Sequence, residues 1–236
     1  MTVRSRLNLN ADFCQMNNDQ KQLIEHCIAF VKKELATGEK GHDWWHIERV
    51  WRTARLIAKS EPADMFIVEL AALLHDIADA KFYGGDEEIG PEKAATFLKS
   101  MNVDAVAVEH VVKIIRNISF KGGNHQPDFS SLELQVVQDA DRLDALGAVG
   151  IARAFHYGGF KNRLLYDPGI QPNLNMTKEE YKSSDAPTIN HFYEKLLLLK
   201  ELMNTDTAKQ IALNRHTFME VFLAQFFEEL DFCSVD

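Results

Sequence analysis

The stretch MFIVELAALLHDIADAKF, residues 65–82, decides the fold. Nine of its first ten residues are apolar. On a helix they would cover most faces with apolar side chains, a pattern typical of a buried central helix. Asp64 stands at the position of an N-cap, and we predict a helix over residues 65–78. Near its end stand His75 and Asp76, whose polar side chains need partners if they are buried.

The sequence on both sides of this stretch also predicts helices, because alternating β-branched runs are almost absent. Capping residues and glycines separate the successive helical patterns. We predict an all-α, single-domain helical bundle at residues 18–236, with its motifs at about 20–160. The other predicted helices cover residues 18–36, 44–59, 91–100, 105–118, 132–156 with a kink or break at Gly147 and Gly150, 188–203 and 205–230.

Two segments lack helical periodicity. Residues 1–17 are polar, and we expect a flexible N-terminal tail there. Residues 158–187 contain several glycines and prolines and form a long connection ahead of the C-terminal helices at 188–230. Because a long connection inside a compact domain is usually functional, we expect a lid-like segment at 158–187.

Composition excludes several classes of protein. The chain has 236 residues, with 26 Lys and Arg against 35 Asp and Glu, so the formal net charge is −9. This acidic balance predicts no binding along a nucleic acid backbone. There is neither an apolar run long enough to span a membrane nor a signal peptide, and the three cysteines fit no zinc or disulfide spacing. We therefore expect a cytoplasmic protein without a membrane partner.

Polar side chains recur at positions that should be buried. His46 lies on the apolar stripe of the second predicted helix, and Asp141 shares a helix face with Val137. A buried ionised carboxylate is destabilised by several kcal/mol unless it is paired or bound to a metal ion. Together with His75 and Asp76, these residues would suit a divalent ion. Each also has a structural interpretation, such as a core histidine or an ion pair between Asp141 and its neighbour Arg142.

Three stretches in order carry a resemblance to a known family: GHDWWHIERV at 41–50, LAALLHDIADAKF at 70–82 and VQDADRLDALGAVGIARAF at 137–155. They resemble the HD-domain metal-dependent phosphohydrolase superfamily, and within it the small stand-alone bacterial-type hydrolases, over about residues 20–215. The resemblance implies an HD-domain helical bundle and one divalent ion: Mn, Fe, Ni, Mg or Zn. The ligands that it implies are His46, His75, Asp76 and Asp141.

The resemblance also implies a reaction, in which metal-activated water attacks phosphorus in a small phosphorylated substrate, with a nucleotide favoured. Asp76, Asp79 and His110 are the candidate catalytic residues, and Glu87 or Glu88 are alternatives for handling protons. The candidate substrate-binding residues are Lys81, Lys121, Arg142 and Asp144. Asp144 is also a candidate to support the ligands, Arg142 could instead form a structural ion pair, and Arg153 would need the kink at Gly147–Gly150 to reach the site.

Two other functions stay open at this point. A di-iron oxygenase of the same fold would need further histidine ligands, and the interval between Asp76 and Asp141 offers only His110 and His125. A metal-stabilised binding module without activity is the second alternative. The apolar C-terminal run at 218–232 would also suit a homodimer interface, although core burial explains it equally well.

Overall fold

The computed structural model describes residues 16–36, 43–78, 86–118, 129–177, 180 and 184–231, and these residues contain helices and no strand. The all-α prediction is therefore confirmed for the described part of the chain. The helices are α1 (Asn18–Ala36), α2 (Trp44–Ala58), α3 (Met65–Leu74), α4 (Ile89–Ser100), α5 (Ala105–Ile118), α6 (Leu132–Asp144), α7 (Gly147–Phe160), α8 (Thr188–Glu194), a 3₁₀ helix (Leu196–Leu202) and α9 (Asp206–Asp231).

Side-chain caps set the starts of the helices that matter for the site. Asp43 accepts a hydrogen bond from the backbone N–H of His46 at the start of α2, at 2.9 Å. Asp64 caps α3, and Ser131 caps α6. Each cap satisfies an N–H group that has no partner inside its own helix. The predicted starts of these three helices are confirmed.

The central helix ends earlier than predicted. α3 stops at Leu74, and His75 is its C-cap, so residues 75–78 are turns and not helix. The ring Nδ1 of His75 lies 2.9 Å from the carbonyl oxygen of Ala72 and donates to it. This contact satisfies one of the carbonyls that the last helical turn leaves free. The apolar pattern over 65–74 gives no signal for this side-chain interaction.

Three other boundaries differ from the sequence predictions. The segment 132–156 is broken outright, and Gly147 at the start of α7 has a φ of +72°, which a residue with a side chain rarely adopts. The segment 188–203 divides into α8 and the 3₁₀ helix. α4 begins at Ile89, two residues before the predicted start, so Pro91 lies inside its first turn.

α3 occupies the middle of the bundle. Nearly all of its residues are buried, and it packs against α1, α2, α5 and α6. α2 packs against both α3 and α6, so the helices that carry His46 and Asp141 lie side by side, and α3 packs against both of them. Burial of these apolar side chains is the main stabilising contribution to the fold. The prediction of a buried central helix is confirmed.

A fully buried carboxylate ties α6 to the C-terminal half of the chain. Asp139 accepts hydrogen bonds from the backbone N–H groups of Asn204 and Thr205, at 2.9 and 2.8 Å, and from the Thr205 hydroxyl at 2.9 Å. Asn204 and Thr205 directly precede α9. Since a buried carboxylate is tolerated only with such partners, this contact fixes where α9 begins relative to α6.

Other parts of the sequence predictions are tested only in part. The first residues of the segment 158–187 belong to α7, and the described residues between α7 and α8 are irregular except at Glu180, which is helical. The N–H of Thr188 donates to the carbonyl of Leu164, at 2.8 Å, and joins the segment to α8. The lid role of 158–187 stays a prediction. Residues 1–15 of the expected tail lie outside the described residues.

None of the described helices combines the length and the apolar character needed to cross a bilayer. Phe218 and Val221 on α9 are exposed, and a homodimer stays a prediction.

We predict that Asp139→Asn lowers the free energy of unfolding by about 3 kcal/mol, because the substitution replaces one of the two acceptor oxygens by an amide N–H₂ facing buried donors. The measurement is urea unfolding followed by circular dichroism. Asp206→Asn is the control, since the Asp206 side chain is 96% exposed and pairs with Lys209 at the surface. Equal losses of stability in the two variants would contradict this role for Asp139.

We predict a pH dependence of stability from His191 in α8. Burial, with the positive charges of Lys195 and Arg163, lowers the pKa of His191 from 6.5 to about 4. Protonation therefore opposes folding, and the stabilisation that is complete above pH 6.5 is lost as the pH falls toward 4. His191→Gln should flatten this part of the profile of unfolding free energy against pH. A profile that is unchanged by the substitution between pH 7 and 4 would refute the prediction.

Candidate metal centre

His46 is placed by the first turn of α2. It is buried, and the cap at Asp43 fixes the backbone from which it projects. Its Nε2 lies 3.6 Å from Oδ1 of Asp141 and 3.9 Å from Oδ2 of Asp76. Helices α2 and α6 thus bring together residues that are 95 positions apart in the sequence.

His75 contributes a nitrogen without a hydrogen-bond partner. Its Nδ1 donates to the Ala72 carbonyl, so Nε2 carries the lone pair, and this buried atom has no hydrogen-bond partner among the described residues. Burial lowers the pKa of His75, although the nearby carboxylates of Asp141 and Asp76 act in the opposite direction. A neutral imidazole with a free lone pair is the state in which histidine binds a metal ion.

Asp141, on α6, is the third residue of the group. Its Oδ1 lies 3.9 Å from Nε2 of His75, and its side chain is 37% exposed, so it borders solvent. One atom each from His46, His75 and Asp141 lie within 4.8 Å of one another. Two imidazoles and a carboxylate fit Mn²⁺, Fe²⁺, Ni²⁺ or Zn²⁺. These three residues could therefore hold a divalent ion, as the resemblance implies.

Asp76 lies beside this group, on the turn that follows α3. Its Oδ2 is 3.9 Å from Nε2 of His46, and its side chain is 19% exposed. Asp76 and His75 are successive residues at the end of α3, where the helix gives way to a turn.

Asp144 lies behind His46, on the side away from Asp141. Its Oδ2 accepts a hydrogen bond from Nδ1 of His46 at 2.8 Å, and Arg49 and Arg153 also donate to its carboxylate. Burial raises the pKa of Asp144, but the hydrogen bonds from His46 and Arg49 and the charge of Arg153 outweigh it and hold the pKa well below its usual range. Sequence reasoning placed Asp144 in substrate binding or in support of the ligands, and its described contacts are those of a support.

Other predicted residues have contacts elsewhere. Arg142 donates to the carbonyl of Leu202 in the 3₁₀ helix and lies 3.9 Å from Asp139. Nε2 of His110 lies 3.0 Å from the hydroxyl of Ser131, at the N-terminus of α6. Ten residues of helix separate Ser131 from Asp141, which corresponds to about 15 Å. Asp79, Lys81 and Lys121 lie outside the described residues. Of the alternatives for handling protons, Glu88 accepts hydrogen bonds from Arg116, at 2.6 Å for the shortest.

Sequence reasoning missed the roles of two arginines. Arg49 lies three residues after His46 on α2, a spacing that places both on one side of the helix and could have indicated a shared partner. Arg153 reaches Asp144 only because the chain breaks between α6 and α7. The glycines at 147 and 150 signalled a break, but they did not show its angle.

Comparisons with known proteins agree with this geometry. A model of the HD domain family matches residues 44–146, which contain all four candidate ligands. The chain is 39% identical to the Bacillus subtilis protein YpgQ over 202 residues, covering 85% of this chain and 90% of YpgQ. This chain belongs to the HD domain family. The family supports a metal-dependent phosphohydrolase in general terms.

Solved structures show the same similarity to the HD domain family. An HD-superfamily hydrolase from Bacillus thuringiensis superposes with a TM-score of 0.73 at 45% identity, covering 90% of this chain and 98% of that protein. The structure of Bacillus subtilis YpgQ in complex with ADP superposes with a TM-score of 0.72 at 35% identity, covering 89% of this chain and 96% of YpgQ.

We predict that Mn²⁺ at about 100 times its Kd raises the Tm by about 5–10 °C, because a ligand that binds only the folded state stabilises it. Differential scanning fluorimetry, with EDTA added to reverse the shift, makes the measurement. Asp141→Asn should abolish the increase, and the exposed control Asp206→Asn should retain it. A full increase in Asp141→Asn would remove Asp141 from the ligand set.

Proposed function

We propose that this chain is a divalent-metal-dependent phosphohydrolase that acts on nucleotides, with His46, His75, Asp76 and Asp141 as the metal ligands. The observation that carries the proposal is the buried Nε2 of His75, which has no hydrogen-bond partner among the residues that the structure describes and lies 3.9 Å from the Asp141 carboxylate. A buried polar atom without a partner is destabilising, and it therefore requires an explanation. A metal ion bound by Nε2 of His75 would explain why this atom is buried without a hydrogen-bond partner.

The residues around the group support this chemistry. A bound divalent ion polarises a phosphoryl oxygen and lowers the pKa of a coordinated water. The protein holds two imidazoles with their Nε2 lone pairs toward the site, through Ala72 for His75 and through Asp144 for His46. Asp141, at the solvent border, leaves the group open on one side to a substrate from solution.

A nucleotide is the favoured substrate because a relative with 35% sequence identity, YpgQ, has been crystallised in complex with ADP. The net charge of −9 means that an anionic substrate needs local cations as well as the metal ion. We include Lys81 and Lys121 in the proposal as phosphate-binding residues and Asp79 as a proton carrier. The contacts of Arg142 and His110, described above, do not favour the roles first considered for them.

The oxygenase alternative has less support. It needs histidine ligands for a second iron, and the two candidates were His110 and His125. His110 contacts Ser131 about 15 Å along α6 from Asp141, and His125 lies outside the described residues. The candidate metal group found in the described part of the chain is His46, His75 and Asp141, which accounts for one ion. The proposal therefore uses one metal ion and no oxygen chemistry.

The experiment is product analysis on a panel of nucleoside mono-, di- and triphosphates with Mn²⁺, separated by ion-exchange chromatography. We expect turnover of at least one nucleotide class, with pyrophosphate indicating cleavage of the inner anhydride and orthophosphate with nucleoside indicating a phosphomonoesterase. No turnover across the panel would refute the nucleotide substrate.

Asp76→Asn and Asp141→Asn should each lower kcat by more than about 100-fold, because a metal ion contributes several kcal/mol to the transition state. Their far-ultraviolet circular dichroism should stay that of the wild type. The exposed Asp206→Asn variant is the matched control, with an unchanged kcat. Wild-type turnover in either ligand variant would overturn the assignment of that residue.

A further inference from the structure

The part of the chain that follows the family match reaches back to the end of α6. Nη1 of Arg153, in α7, donates to Oδ2 of Asp144 at 2.5 Å and to the Asp144 carbonyl at 3.4 Å. Nη1 of Arg215, in α9, donates to the carbonyl of Leu143. Both arginines lie beyond residue 146, where the match to the family model ends. Two helices outside the matched region therefore bind the helix that carries Asp141.

The turn between α6 and α7 allows Arg153 to contact Asp144. The chain turns at Gly147, whose φ of +72° is one that a residue with a side chain rarely adopts. A Cβ at this position would also lie 3.1 Å from Cγ of Arg215. The turn directs α7 away from the line of α6, so that Arg153 points back to Asp144. A continuous helix over 132–156 would not allow this approach.

The carboxylate of Asp144 is held by three donors. Its Oδ2 receives the Nδ1–H of His46, the guanidinium of Arg153 and Nη2 of Arg49 at 3.0 Å, while its Oδ1 receives Nε of Arg49 at 2.6 Å. The two arginines bind the carboxylate from α2 and from α7, so it is fixed at both oxygens. Because an ionised carboxylate only accepts hydrogen bonds, it selects the tautomer of His46 with the proton on Nδ1.

We propose that Arg153 is a positioning residue for the metal centre: it fixes Asp144, which keeps Nε2 of His46 directed at the atoms of His75 and Asp141. The inference rests on the ligand set of the proposed function, and it adds a residue from outside the family match. Arg153 acts through Asp144 and His46. It is therefore expected to alter metal affinity without touching the ion or the substrate.

The experiment compares Arg153→Gln, Arg153→Lys and Asp144→Asn with the wild type. The control is Arg52→Gln, because Arg52 lies on α2 with a 70% exposed side chain and pairs with Glu48. The first readout is the Kd for Mn²⁺, by calorimetry on the full chain without substrate. The second is the tautomer of His46 in the metal-free protein, by long-range proton–nitrogen NMR. Thermal unfolding reports separately on stability.

We expect Asp144→Asn to weaken Mn²⁺ binding by about 10–100-fold and Arg153→Gln by about tenfold, as is usual for residues that orient a metal ligand. Arg153→Lys should retain part of the affinity, and Arg52→Gln all of it. In the metal-free wild type, His46 should carry its proton on Nδ1, and this population should fall in Asp144→Asn and Arg153→Gln.

Wild-type affinity and tautomer in Arg153→Gln, with only a lower Tm, would overturn the proposal and leave Arg153 a purely structural role. Arg153→Gln keeps the test valid if Asp144→Asn fails to fold. If the wild type itself does not bind Mn²⁺, the ligand set of the proposed function is wrong. The NMR readout then still decides whether Arg153 sets the state of His46.

Discussion

Three donors from two helices converge on the buried carboxylate of Asp144, and the orientation of His46 depends on them. A carboxylate in this position would be unfavourable alone, because burial opposes its ionised form. Hydrogen bonds and positive charge from Arg49 and Arg153 favour the ionised form of Asp144. The ionised carboxylate then determines which nitrogen of His46 faces the ligand atoms. The geometry of the candidate centre follows from this one ion-paired group and from the packing of α2 against α6.

The two histidines are fixed by different means that have the same effect. His75 donates its Nδ1–H to a backbone carbonyl at the end of its own helix, whereas His46 donates to a carboxylate from another helix. Both contacts leave Nε2 directed toward Asp141. Such partners set the tautomer and the ring orientation of a metal-binding histidine, and they raise its basicity. The site is therefore organised before any ion arrives, which limits the reorganisation that binding requires.

Much of this structure was predictable from local sequence. The caps at Asp43, Asp64 and Ser131, and the apolar run of α3, gave the helix starts and the central position of α3, because these signals act within a few residues. The candidate ligands came from buried polar positions and from the family resemblance. The contact of Arg153 was not predictable, since its partner is set by tertiary packing. The end of α3 at Leu74 was missed because the apolar run gives no signal for the local contact between His75 and the Ala72 carbonyl.

The fully buried Asp139 has a consequence for where this domain can be divided. The family match ends at residue 146, yet the partners of Asp139 are Asn204 and Thr205. A fragment cut at residue 146 would lack the donors that pair with this carboxylate in the full chain, and a charge is tolerated in a protein interior only with such partners. The region that the family model matches is thus smaller than the unit held together by contacts of Asp139. A truncation at that boundary would remove the backbone amides that solvate this charge inside the protein.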